Sequence, residues 1–195
     1  TKSNLITRDL DLLTRIARHN TLVVHVTVTT TDAALARKLE PRAPRPDLRF
    51  AAVRKLRESG ITAGVLCSPL LPGINDAEDS LRRVASQAAS ARASFLAAHA
   101  LFLKSCSRPT WLGFVREHFP HLVGEYDQRY LKADFADGPY RRRMGDLLQR
   151  ICRQYGLAPR STDALITRDV GAAERKLPER AAAASNHLGQ QHLFA

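Results

Sequence analysis

ITAGVLCSPLLPGIND, residues 61–76, decides the fold. Its first eight residues, ITAGVLCS (61–68), are apolar or small and predict a strand. The strand runs into a loop with three prolines-or-glycine breaks, Pro69, Pro72 and Gly73, and the Asn75-Asp76 pair. The sequence DAEDSLRRVASQAASAR (76–92) then has helical spacing, with acids in its first turn where the helix dipole favours them. A strand, a shaped loop and a helix in that order are one half-turn of a parallel α/β fold.

The same unit recurs on both sides. TLVVHVTVTT (21–30) is β-branched and nearly continuous in apolar residues, as a buried parallel strand should be. Asp32 then caps a short helix, AALARKL. EPRAPRP (40–46) is a proline-broken loop, and DLRFAAVRKLRESG (47–60) a helix with Asp47 at its cap, Leu48, Ala52, Val53 and Leu56 on one face, and Gly60 at its stop. DLDLLTRIARH (9–19) is an earlier helix, with Leu10, Leu13, Ile16 and Ala17 on one face, and SFLAAHALFL (94–103) a later strand. Parallel strands with crossover helices bring every strand-to-helix loop to one edge of the sheet, where such folds build their sites. Those loops are TKS (1–3), TTTD (29–32), SPLLPGIND (68–76) and LKSCS (103–107).

After Ser107 the pattern becomes helical. PTWLGFVREHFPHLVGEYDQRYL (109–131) is aromatic-rich and broken at Pro120. GPYRRRMGDLLQRICRQYG (138–156) carries an apolar stripe of Tyr140, Met144, Leu147, Leu148, Ile151 and Tyr155, which packs on the sheet domain. The expected organisation is a barrel part at 1–107, a helical extension at 108–159 and a flexible tail at 160–195.

Composition narrows the function less. The formal charge is +11, with 24 Arg against 6 Lys, which permits a polyanionic partner such as DNA. Cys67, Cys106 and Cys152 are far apart and form no metal-binding spacing. They fit a reducing, cytoplasmic setting, and no run of 18 apolar residues is present to span a membrane. The seven histidines show no metal-ligand spacing such as HxxxH, and His25 reads as a structural strand residue.

The ordered series TKS, RDLDLL, VTVTTTD, LEPRAP, SPLLPGIND, LFLKSC and FVREHFPHL resembles the radical S-adenosylmethionine (SAM) proteins, in particular the spore photoproduct lyase-like family, over about residues 1–157. The resemblance implies an α/β fold, the C-terminal half of a partial (β/α)6 TIM-like barrel of parallel strands, followed by C-terminal helices. It implies a lyase-like iron-sulfur enzyme that reductively cleaves SAM to a 5′-deoxyadenosyl radical, and a possible role in DNA repair. In that family a CxxxCxxC loop holds a 4Fe-4S cluster. This chain has no such loop, so the cluster ligands are expected in a missing N-terminal half of the barrel, and this fragment alone is expected to be inactive. Such a half barrel would expose a strand edge and core surface and should pair with something.

The resemblance also implies a SAM-binding set. Lys2 would meet the SAM carboxylate, and Ser3 a ribose hydroxyl or the sulfonium end. Thr27 and Thr29 share one strand face, and Thr27 stands where relatives often carry a SAM-binding serine. Arg42 is a candidate for a bidentate carboxylate contact, its rival being a salt bridge to Glu40. Pro72 and Gly73 would let backbone pass close to the adenosine, with Asn75 bonding ligand or backbone and starting the next helix. Backbone near Leu103 would touch adenine, with Lys104 at the mouth. Cys67 and Cys106 could each be read as hydrogen donors, although packed thiols are the commoner case.

Two other readings compete. In one, Lys104 is a desolvated Schiff-base amine in an aldolase-type barrel. In the other, the chain is a non-catalytic basic module for DNA or a sliding clamp. Gln190, Leu193 and Phe194 in QQHLFA have the Q-x-x-L-F spacing of a clamp-binding peptide.

Overall fold

The computed structural model describes residues 1–170, with side chains to residue 165. Gln190, Leu193 and Phe194 lie outside the described residues. Residues Thr1–Ala164 form one compact unit.

Three strands, β1 (Val23–Thr27), β2 (Thr62–Leu70) and β3 (Leu96–Ala100), form a parallel sheet in the order β1-β2-β3. Registers pair Val23 with Thr62 and Val65 with Leu96. The protein is therefore α/β with a small parallel sheet, and among the described residues the sheet is not closed. Single residues extend both edges. The Thr1 amino group donates to the His25 carbonyl at 2.8 Å, and the Thr27 N–H donates to the Thr1 carbonyl at 2.8 Å. That alternation is one rung of a parallel ladder. At the other edge Ala158 bridges Phe95 in parallel.

The helices follow the predicted order. The first, α1 (Leu10–His19), continues a 3-10 helix at Asn4–Asp9, and α2 (Ala33–Leu39) is capped by Asp32, whose carboxylate accepts from Ala34 and Leu35. Next come α3 (Pro46–Glu58) and α4 (Glu78–Ser90). Then α5 (Arg108–His118) and α6 (Val123–Tyr130) are separated by a short turn at Pro120, as its missing N–H requires. The long helix α7 (Gly138–Gln154) and α8 (Ser161–Val170) follow.

Alternate residues of each strand face opposite ways. One face, with Val24, Val26, Val28, Ala63, Val65, Cys67 and Leu96, joins Val53, Leu56, Leu81, Val84, Leu147 and Ile151 of the helices in the main core. The stripe predicted for α7 lies in this core, so the 108–159 region shares the sheet's interior.

Four details differ from the expectations. The cap of α3 is Arg45, because Pro46 suits the first helical position; Asp47 sits inside the first turn and pairs with Arg45 at 2.8 Å. On the same helix Leu48 is 42% exposed, and Arg49 takes the buried place beside Ala52, Val53 and Leu56. On α1, Ile16 is 38% exposed whereas Leu10, Leu13 and Ala17 pack on the core. Residues 161–170 form α8 where a flexible tail was expected; Asp163 in its first turn pairs with Arg160 at 3.1 Å, and Ala164 packs on the sheet.

Candidate functional site

The second sheet face and the C-terminal strand ends form the candidate site. By alternation this face carries Val23, His25 and Thr27 on β1, Gly64, Leu66 and Ser68 on β2, and Ala97 and His99 on β3, with Phe95 just before β3. It is thinly covered: Phe95, Ala97 and Ala164 are its buried apolar cluster, and His25, Leu66 and Ser68 are half-buried with His99 exposed. The registers stack these residues in rows, His25 beside Gly64 and Thr27 beside Leu66. Phe95 lies across the first row, its ring 4.8 Å from that of His25. Burial, with a smaller contribution from His99, holds His25 below the ordinary histidine pKa.

At the strand ends, the loop after β2 is tied from within. Asn75 is fully buried. Its Oδ1 accepts from the Leu71 N–H at 2.7 Å, and its Nδ2 donates to the Thr29 and Pro69 carbonyls at 3.0 and 3.2 Å. Both amide hydrogens are thus committed to backbone. Asn75 does not start the next helix either; that position belongs to Ala77, which makes no side-chain capping bond. Asp76 accepts from the Gly73 N–H at 2.9 Å and from the Tyr140 hydroxyl at 2.9 Å, fixing the loop to α7. Gly73 has φ +71°, which favours glycine, and an added Cβ would lie 2.9 Å from Leu122. Pro72 is buried. The close approach that Gly73 permits is therefore to the helical region.

Lys2 and Ser3 sit beside β1. The Ser3 hydroxyl accepts from the Leu5 N–H at 3.1 Å, capping the first 3-10 turn. Lys2 reaches Glu40 at 2.9 Å. Glu40 also pairs with Arg49, so its guanidinium partner is Arg49 and not Arg42, which is exposed. Thr27 and Thr29 are buried, and their carbonyls accept from Arg49 and Asn75 respectively. Leu103 is buried, with its N–H donating to the Asp134 carbonyl at 2.7 Å. Lys104 is exposed, 5.7 Å from the Phe102 ring, and lacks the apolar enclosure that a Schiff-base role requires. The TKS, TTTD and SPLLPGIND loops are thus joined through Glu40, Arg49 and Asn75.

The three thiols separate by environment. Cys67 is buried, its thiol 3.6 Å from the Thr29 carbonyl, and burial pushes its pKa up to about 12. Cys152 is buried against the Leu96 carbonyl and is pushed up to about 11. Cys106 is exposed. A neutral-pH alkylating agent should therefore add once to the folded protein, at Cys106, and three times in denaturant. Intact mass spectrometry reads both numbers, and native labelling of Cys67 would refute the buried assignment. Since each buried thiol is raised above its ordinary value of 9.0, its contribution to stability is fully present below pH 9.0 and is lost as pH rises from there through the folded values of about 12 for Cys67 and about 11 for Cys152.

Among the described residues no group of three His, Cys, Asp or Glu side chains could hold a metal ion. With the thiols separated in this way, the described part of the chain does not fit an iron-sulfur cluster. Reasoning from sequence overlooked Arg49. Its signal was available, because 49, 52, 53 and 56 form the helical stripe that an arginine interrupts. The outer side of α7 is basic, with Arg141, Arg142, Arg143, Arg150 and Arg153 exposed.

Comparison with curated proteins finds relatives of longer length. Uncharacterized proteins of Mycobacterium tuberculosis H37Rv and Mycobacterium bovis are each 27% identical over 158 residues, which is 81% of this chain and 46% of theirs. An uncharacterized protein of Acidianus two-tailed virus is 37% identical over 79 residues, 40% of this chain and 26% of its own. No family model and no solved structure matches. The chain spans about half, or less, of the length of the curated relatives it matches.

Proposed function

We propose that this chain is the C-terminal part of a radical SAM barrel and contributes a SAM-binding edge to it. The observation that carries the reading is the common edge itself. Thr1 hydrogen-bonds outside β1 as a parallel rung, and the loops that follow it, β1 and β2 are cross-linked there by Glu40, Arg49 and Asn75. In parallel α/β folds ligands bind at the carboxyl ends of strands. The thinly covered face with His25, Ser68 and His99 corresponds, on this reading, to barrel interior. The longer relatives leave room for the strands that would complete it.

SAM supplies the radical chemistry when bound with a reduced cluster elsewhere in the protein. This chain's part is to bind and orient. Lys2 offers its ammonium to a carboxylate, and the backbone beyond β2 and β3 shapes the floor. The described residues do not fit the cluster, and no step through it is assigned to them.

The test is expression of the full reading frame that encodes this chain, under anaerobic conditions. Iron and sulfide content and reductive formation of 5′-deoxyadenosine are then measured. Four irons per chain with 5′-deoxyadenosine is the expected result. Absence of both the cluster and SAM binding would overturn the reading.

A further inference from the structure

Arg49 is one of the largest fully buried side chains of the protein, 1% exposed. Its Nε donates to the Pro44 carbonyl at 2.7 Å and its Nη1 to the Thr27 carbonyl at 3.0 Å and to Glu40. Its Nη2 is buried without a hydrogen-bond partner. The other oxygen of Glu40, Oε1, takes Lys2 Nζ at 2.9 Å. Exposure rises along the series, from 2% for the Arg49 side chain through 9% for Glu40 to 54% for Lys2.

A buried ion pair is a poor device for stability alone, because the desolvation of both charges offsets most of their attraction. Here the pair ends on a third charge that reaches solvent at the strand edge. The three side chains sum to one positive charge. Glu40 claims one of the ammonium's three N–H donors and fixes where the others can point.

We propose that Glu40 and Arg49 are positioning residues that hold Lys2 ready to receive the amino-acid carboxylate of SAM. This rests on the SAM reading above. The carbonyls of Thr27 and Pro44 lock the guanidinium, the guanidinium locks Glu40, and Glu40 locks Lys2. The ammonium then meets its ligand with little side-chain entropy left to lose.

The experiment is equilibrium binding of SAM to the anaerobically reconstituted full-length protein and its Glu40→Gln, Lys2→Ala and doubly substituted forms. Glu40→Gln is expected to weaken binding about 10-fold when Lys2 is present and less than about 2-fold when it is alanine. Equal loss in both backgrounds, or no loss, would overturn the proposal while leaving the SAM reading in place. Wild-type protein that binds no SAM would overturn both. Glu40→Leu with Arg49→Met removes both buried charges, so it provides a folded alternative if Glu40→Gln unfolds the protein. It too should bind SAM about 10-fold more weakly, and wild-type affinity in this form would also overturn the proposal.

Discussion

Arg49→Met should lower the free energy of unfolding by about 3–5 kcal/mol, the usual cost of removing one partner from a buried ion pair. Methionine has the length and flexibility to fill the space. It cannot answer the Thr27 and Pro44 carbonyls or the buried carboxylate of Glu40. Domains of this size are stable by only about 5–15 kcal/mol, so urea unfolding should show a large fall in midpoint. Adding Glu40→Leu should return most of that loss, because two apolar side chains replace two charges that no longer need a partner. If Arg49→Met alone is as stable as wild type, the pair is not closed in solution as described.

Gly64→Val should cost about 3 kcal/mol, at the upper end of what overpacking in a formed core costs. A Cβ at Gly64 would lie 2.5 Å from the Phe95 carbonyl oxygen and 2.6 Å from its ring. The carbonyl is part of the β2–β3 ladder, since it accepts from the Val65 N–H at 3.0 Å. The strand spacing must therefore open, and the ring must leave His25. Denaturant unfolding followed by near-ultraviolet circular dichroism reads both effects. A substitution without cost would mean that Phe95 is not laid across the sheet.

The strand-helix alternation was legible because its signals are local. Continuous apolar strands, the Asp32 cap, the Gly60 stop and the Pro120 break all act within a few residues. The loops of the strand edge were legible for the same reason, as consequences of parallel connectivity. What was not legible is who bonds whom across that edge. Asn75 reads equally well as a ligand contact, a helix cap or a backbone tie. Only the approach of Thr29, 46 residues earlier in the chain, selects the last. Glu40 had a sequence neighbour in Arg42, yet the fold brings it Arg49 from the next helix and Lys2 from the other side of α1. Arg49 itself was hidden by a stripe that also accommodated Leu48. Helical spacing tolerates a shift of one residue, and the requirement that a guanidinium reach Thr27 is tertiary.

The sheet's parallel registers have a kinetic consequence. Its first ladder joins Val23 to Thr62, 39 residues apart, and its second joins Val65 to Leu96, 31 apart. Neither ladder can begin as a hairpin. Each must wait for an intervening helical segment to condense, after a loop-closure cost has been met with few native contacts to offset it. Early in refolding the helices should gain protection from hydrogen exchange before the strands do. During that interval β2, which pairs on both sides in the native sheet, presents two open edges to other chains. Crowded expression therefore threatens this protein most before β2 finds its neighbours.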